Sequence, residues 1–210
     1  MRSLLLLPAL AVALPLAACG DDGPQTTESR DAAAFTQVVN DTSVDVRLHV
    51  GGPQRIQVRA GENVIDDVRT DVEDGVLRVE FEHSGWGGAD VEVEAWTPSL
   101  DTIHSDGSGT VEADGVSARA FTVRTDGSGG VRVRGTAEML DLKSDGSGDA
   151  KLSGFTARAA RVMATGSGTV DVRAAERLDV KMDGSGDVRY HGEPRLTQED
   201  DGSGEVERAN

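Results

Sequence analysis

Six copies of Gly-Ser-Gly fall in the second half of this 210-residue chain, and five of them follow an aspartate. Carboxylates beside turn carbonyls suggest hard-cation chemistry. The copies begin with Asp106-Gly107, Asp126-Gly127, Asp145-Gly146, Thr165-Gly166, Asp183-Gly184 and Asp201-Gly202, and they close on Gly109, Gly129, Gly148, Gly168, Gly186 and Gly204. An EF-hand loop needs oxygen ligands at positions 1, 3 and 5, Gly at 6 and Glu at 12. Placing Gly109 at the loop glycine puts His104 first and Gly115 last; placing Gly186 there puts Lys181 first. Only the final copy starts acceptably, at Glu199, and it then ends on Asn210. Calcium β-rolls repeat about every nine residues, half the period here. The motif is therefore read as turn chemistry, with glycine supplying φ > 0 and aspartate accepting an N–H two residues on. Thr165 can make a weaker form of the same turn.

Other candidates are sparser. His49, His83, His104 and His191 share no metal-ligand spacing, and zinc needs three or four converging ligands. No metal or other cofactor is expected. Gly-Ser-Gly is not the Gly-x-Ser-x-Gly elbow of serine hydrolases. Acidic pairs such as Asp149 and Asp187 could serve as acid and base, but nothing sets them apart from 37 acidic residues. Trp86 and Trp96 could stack on a sugar, although two separated tryptophans make no platform and local packing is the expected role. No catalytic residue emerges.

Cys19 is the one cysteine, so no intrachain disulfide can form. Before it stand Met1-Arg2 and an apolar run, Leu4 to Leu16, too short for the roughly 20 residues that span a bilayer. Charge, apolar run and small residues in that order are a secretory signal, here residues 1–18. Leu16-Ala17-Ala18-Cys19 resembles the lipobox of bacterial lipoproteins, which implies cleavage before Cys19 and acylation of its thiol. Each buried CH₂ contributes about 0.8 kcal/mol, so several acyl chains anchor stably. The expected location is the cell envelope, lipid-anchored and facing the periplasm or exterior.

Removing residues 1–18 takes away Arg2 alone and leaves 20 basic and 37 acidic residues, a net charge of −17. Such a chain is a poor partner for nucleic acid, whose binding needs basic patches, and for direct docking on anionic lipid. Partners are expected instead among envelope proteins or polysaccharides, with the membrane reached through the lipid. Aromatic residues are 3% of the chain, so the core must be built from Val, Leu, Ile and Ala.

These residues need a scaffold. Residues 19–34 are polar, acidic and aperiodic, and are read as a flexible tether. From Phe35 apolar and polar residues alternate: Val44 to Val50, Ile56 to Ala60, Val68 to Val72, Leu77 to Phe81, Val91 to Ala95. Asp74-Gly75 between two such runs predicts a hairpin. Residues 35–99 are thus opening strands. In 100–207 apolar residues keep register with the glycines. Ile103, Val123, Leu142, Val162 and Val180 precede each turn by one fixed offset, with Gln198 breaking the series. Val111, Val131, Ala150, Val170, Val188 and Val206 follow by another. A repeat that cannot bury its own inner face must stack on its neighbours, and parallel crossovers are nearly always right-handed. The expected fold is all-β: a right-handed parallel β-helix of stacked Gly-Ser-Gly repeats, preceded by alternating strands and a hairpin. Each residue of the Val111 series should line one interior column.

Residues 35–208 resemble the putative auto-transporter adhesin, head GIN domain family of bacterial envelope proteins. The likeness rests on Phe35 with Val44-Asp45-Val46, on Asn63-Val64-Ile65, on Thr70 through Leu77 and on Pro98-Ser99-Leu100. Its most specific stretch is Gly184 through Pro194 followed by Asp201-Gly202-Ser203-Gly204. The resemblance implies a β-helical domain and supplies no catalytic residues. A non-enzymatic role in binding, adhesion or scaffolding is expected; the alternative is a polysaccharide-active enzyme on a β-helix.

Overall fold

The computed structural model describes residues 22–82 and 90–209; the signal segment, Cys19, His83 and Trp86 lie outside them. The chain folds into β1 (Gln25–Arg30), β2 (Gln37–Asn40), β3 (Asp45–Val50), β4 (Arg55–Gly61), a 3-10 turn (Ile65–Asp67), β5 (Val68–Glu73), β6 (Val76–Phe81), β7 (Glu92–Thr97), β8 (Thr102–Ser105), β9 (Val111–Thr125), β10 (Val131–Ser144), β11 (Ala150–Ala164), β12 (Val170–Met182), β13 (Val188–His191), β14 (Arg195–Asp200) and β15 (Val206–Arg208). Strands β9 to β12 each run most of the way round one coil. They pair in parallel, each on the next, as does β12 with both β13 and β14. The result is a β-solenoid.

Its interior follows from the register. Val46, Val111, Val131, Ala150, Val170, Val188 and Val206 pair in succession along one column. All but Val206 are buried, and Val206 is half-buried on the last coil. Val38, Ile103, Val123, Leu142, Val162 and Val180 make a second column, which ends on Gln198. Between the two, the rings of Phe121 and Phe155 meet from alternate coils, tilted by 36° with centroids 5.3 Å apart. Fully burying a Val, Leu or Phe side chain contributes roughly 1.5–3 kcal/mol, and here each such side chain is buried by the coils on either side.

The opening strands belong to the same stack. The first part of β9 rests on β3 and its last part on β8. Beneath β3 lie β7, then β4 and β1, the last two pairings antiparallel; beneath β8 lie β2 and the β5–β6 hairpin. The hairpin turns at Asp74 and Gly75, both with positive φ, as an Asp-Gly turn of the primed type requires. Antiparallel strands thus close this end of the solenoid.

Two expectations need correction here. The segment 19–34, read as a flexible tether, contains β1, which pairs along its whole length with β4 from Gln25↔Gly61 to Arg30↔Ile56. Order begins still earlier: Asn63 N–H donates to the Asp22 carbonyl at 3.0 Å and Glu62 N–H to that of Pro24 at 3.0 Å. An edge strand gains backbone hydrogen bonds without burying a face, so it carries no apolar alternation. Arg30 adds a clasp across the end, donating to the carbonyls of Ile65 (3.0 Å) and Val68.

The second correction concerns the repeat glycines. Among the described residues positive φ occurs at Gly23, Gly51, Gly75, Gly115, Gly135 and Gly192, besides Asp74, and at no glycine of the Gly-Ser-Gly turns. What those turns need is closeness. A Cβ on Gly146 would lie 1.9 Å from the Gly127 carbonyl oxygen, and one on Gly148 would lie 1.8 Å from that of Gly129. The turns stack so tightly that no side chain fits between them.

Candidate functional site

The corner formed by the turns comes first, because it carries the aspartates. Ser128 and Ser147 N–H, two residues past Asp126 and Asp145, donate to the carbonyls of Gly107 (3.2 Å) and Gly127 (3.1 Å) on the preceding coil. Ser167, Ser185 and Ser203 repeat the pattern. The donors expected to hold the aspartates within their own turns are therefore committed along the stack. Two of the carboxylates find side-chain partners instead, on their own or a neighbouring coil. Asp126 Oδ2 lies 2.9 Å from His104 Nε2, and Asp145 receives the Lys143 ammonium and the Thr165 hydroxyl. Burial pushes the Asp145 carboxyl up, but those two hydrogen bonds and the Lys143 charge outweigh it and hold the group below the usual range. Thr165 thus replaces one carboxylate of the ladder with a donor to its neighbour. Among the described residues no three His, Cys, Asp or Glu converge as a metal site would require.

The remaining candidates are spread over the outer faces. His49 Nε2 lies 2.7 Å from Glu94 Oε1, and His191 Nε2 lies 2.8 Å from Asp171 Oδ1, so each of these histidines has its own carboxylate. Trp96 lies between two neighbours: the Arg55 guanidinium is 3.7 Å from its ring centroid, and the His49 ring stacks at 4.9 Å and 17°. Face-on stacking of a sugar on Trp96 has no room. Asp149 and Asp187 do not face each other across a cleft as acid and base. Each caps the strand of the next coil, accepting N–H from Thr169 at 3.1 Å and from Glu205 at 3.2 Å. The Thr169 N–H and then Lys151 hold the Asp149 carboxyl below the usual range. It stays ionised and is unsuited to donate a proton.

One arrangement was not singled out from the sequence. Five residues beyond the first glycine of each turn, between the two buried positions, a side chain points outward. Register aligns Glu94, Arg47, Glu112, Arg132, Lys151, Asp171, Arg189 and Glu207 in one exposed row across adjacent strands. Opposite charges follow one another along this row except at one step, Arg132 to Lys151. Neighbouring ion pairs include Arg132–Glu112 (3.2 Å) and Arg189–Glu207 (2.8 Å). Beside the exceptional step lies a shallow depression of about 500 Å³, walled by Arg132, Arg134, Lys151, Asp149, Asp171 and Arg189 and floored by Ser153 and Gly154. Here β11 carries three residues, Ser153 to Phe155, for which β12 has no counterpart. A smaller hollow of about 300 Å³ adjoins it toward the glycine turns and shares Arg132, Asp149 and Lys151. The sequence signal was the same repeat register that located the core, read one position further out.

The fold is an all-β solenoid with an ionic outer face. The chain belongs to the putative auto-transporter adhesin, head GIN domain family, whose profile matches residues 34–194. The last coil, from Arg195, lies beyond the matched stretch. Among solved structures the chain is similar to a putative adhesin from Bacteroides fragilis, at 19% identity and a TM-score of 0.75, over 89% of this chain and 97% of that one. It is also similar to a putative lipid binding protein from Parabacteroides distasonis (19%, TM-score 0.51, 90% and 98% covered). A third is a putative adhesin from Parabacteroides merdae (18%, 0.51, 90% and 97%). At these identities the likeness is one of fold. No curated protein matches the chain.

Proposed function

We propose that this is a lipid-anchored protein of the bacterial cell envelope whose solenoid binds an envelope component without catalysing its conversion. The observation that carries the anchor is Leu16-Ala17-Ala18-Cys19 at the end of a short apolar run, with the chain's one cysteine at the acceptor position. Membership in a family described as an adhesin head supports a place at the cell surface and a binding role. The acids that could have served catalysis are engaged in capping strands, which supports a role without turnover.

The anchor is tested by growing cells on labelled palmitate and partitioning their extracts in detergent. Wild-type protein incorporates label and enters the detergent phase; Cys19→Ser does neither. A Cys19→Ser protein that still takes up label and floats with membranes refutes the anchor. Incubation of the purified protein with a polysaccharide panel tests the absence of turnover, and appearance of new reducing ends would support the enzymatic alternative.

A further inference from the structure

We infer that the face around Arg132 and Lys151 is a binding site for an anionic polysaccharide. The inference deepens the proposed binding role and rests on it. The exposed row described above alternates in sign from Glu94 to Glu207 save at one step. Parallel neighbours lie about 4.8 Å apart, and like charges directly opposite one another across two strands are destabilising. The chain therefore tolerates an unfavourable pair at one point of an otherwise matched row. That point borders the depression. Arg134 and Arg189 bring two more cations to its walls, against the carboxylates of Asp149 and Asp171. The lining itself carries four cations against two carboxylates, while Glu112, Asp114 and Glu207 pair with Arg132, Arg134 and Arg189 from its margin.

The shape indicates the kind of anion. The hollow is open and crosses several coils. Gly130 contributes no side chain to the adjoining hollow and Gly154 none to the floor, while Ser153, Thr169, Thr110, Ser128 and Ser147 offer hydroxyls. No aromatic ring or large aliphatic side chain provides the anchor a peptide partner would fill. Hydroxyls, small residues and cations at repeated spacing suit a hydroxyl-rich chain with regularly placed charges, taken up lengthwise across the strands. The ion pairs in place do not block it. Arg132, Arg134, Lys151 and Arg189 are all 44–57% exposed, and exposed pairs contribute only about 0–1 kcal/mol. An incoming carboxylate can share these cations at little cost.

The test uses the full-length lipidated protein in detergent micelles, with polygalacturonate as the anionic probe and dextran as the neutral one. Calorimetry should show polygalacturonate binding that weakens with added salt and no binding of dextran. Arg132→Gln/Lys151→Gln should weaken it by about tenfold or more, roughly 1.4 kcal/mol. Arg158→Gln, which removes an equally exposed cation outside the hollow, should leave it unchanged. The double variant should melt close to wild type, because removing the like-charge pair offsets the loss of the exposed Arg132–Glu112 and Lys151–Asp149 pairs; this separates lost binding from lost fold. Equal binding of dextran overturns the anionic class and leaves the general binding role standing. No binding of polygalacturonate, or binding indifferent to the double variant, overturns the site. Capture of phosphatidylglycerol vesicles in excess of neutral phosphatidylcholine vesicles, lost in Arg132→Gln/Lys151→Gln, also overturns it, by assigning the cations to lipid phosphate rather than to the acyl anchor.

Discussion

Replacing Gly148 with alanine should damage this protein far more than replacing Gly130, although neither glycine has a left-handed φ and they lie in or beside equivalent turns of adjacent coils. A Cβ at position 148 falls 1.8 Å from the Gly129 carbonyl oxygen. Carbon and oxygen in favourable contact stand about 3.3–3.6 Å apart, so the two coils must separate locally by about 1.5 Å. The bonds spanning that gap are Ser147 N–H to Gly127 O at 3.1 Å and Gly148 N–H to the same oxygen at 3.3 Å, and neither survives such a shift. Two lost bonds at about 1 kcal/mol each, with an overpacking cost of about 1–3 kcal/mol, give a loss of roughly 3–5 kcal/mol. At about 2–4 °C per kcal/mol for a domain of this size, melting should fall by about 6 °C at the least. At Gly130 the nearest atom to a new Cβ is the Asp149 carbonyl oxygen at 3.6 Å, an ordinary contact. Alanine there removes freedom from the unfolded chain and should stabilise by about 0.4–1 kcal/mol. Thermal and urea unfolding followed by circular dichroism decide the matter. If Gly148→Ala melts within a degree of wild type, or if the two variants fall together, close stacking is not what selects glycine here.

Position along the stack should grade the effect of a buried charge. Val170→Asp, at a fully buried site, should cost several kcal/mol, whereas Val206→Asp on the half-buried last coil should be mild; equal melting temperatures would contradict the column. Thr125 Oγ1 is buried without a hydrogen-bond partner, so Thr125→Val should stabilise by about 1 kcal/mol, and a destabilised variant would mean the hydroxyl has a bound partner. Asp145, Asp149 and Asp179 have folded-state pKa values below the usual carboxylate range. Their contribution is present above that range and is lost as pH falls through the depressed values. Melting temperature should therefore drop on acidification below about pH 4, with a shallower slope in Asp145→Asn/Asp149→Asn; an unaltered slope would show that these groups do not carry it. Millimolar calcium should move the melting temperature by no more than a few degrees, because Asp126 and Asp145 already have His104, Lys143 and Thr165 as partners; a large rise that vanishes in Asp126→Ala would make the corner a cation ladder.

How far the sequence could be read depended on whether a feature repeats. The Val111 and Ile103 series were visible because stacking imposes one register on every coil, and the Asp74-Gly75 hairpin because its turn demands particular residues. β1 was hidden because Gln25 to Arg30 bury no apolar face and only the backbone of β4 reveals them. The reason for the turn glycines was misjudged for a related cause. Composition shows that a side chain is excluded, but backbone strain and a close neighbour exclude it alike, and only coordinates separate the two. The left-handed positions at Gly115, Gly135 and Gly192 fall elsewhere on the coil. Likewise the Arg132–Lys151 step is plain once the rows are aligned, yet among 58 acidic and basic residues nothing marks it beforehand.

Because each coil ends in the same turn, the chain can lose a whole coil without a new kind of junction. Excising residues 127–145 would join Asp126 to Gly146 and restore Asp-Gly-Ser-Gly. Val111 would then meet Ala150 in the same column, and both ends of the stack would keep their own closing strands. Such a change shortens the domain by one strand spacing, about 4.8 Å, and removes Arg132 while keeping Lys151. Height and surface charge are therefore inherited in whole coils, so in-frame duplication or loss of a repeat can alter how far the domain reaches and what it displays while the fold persists.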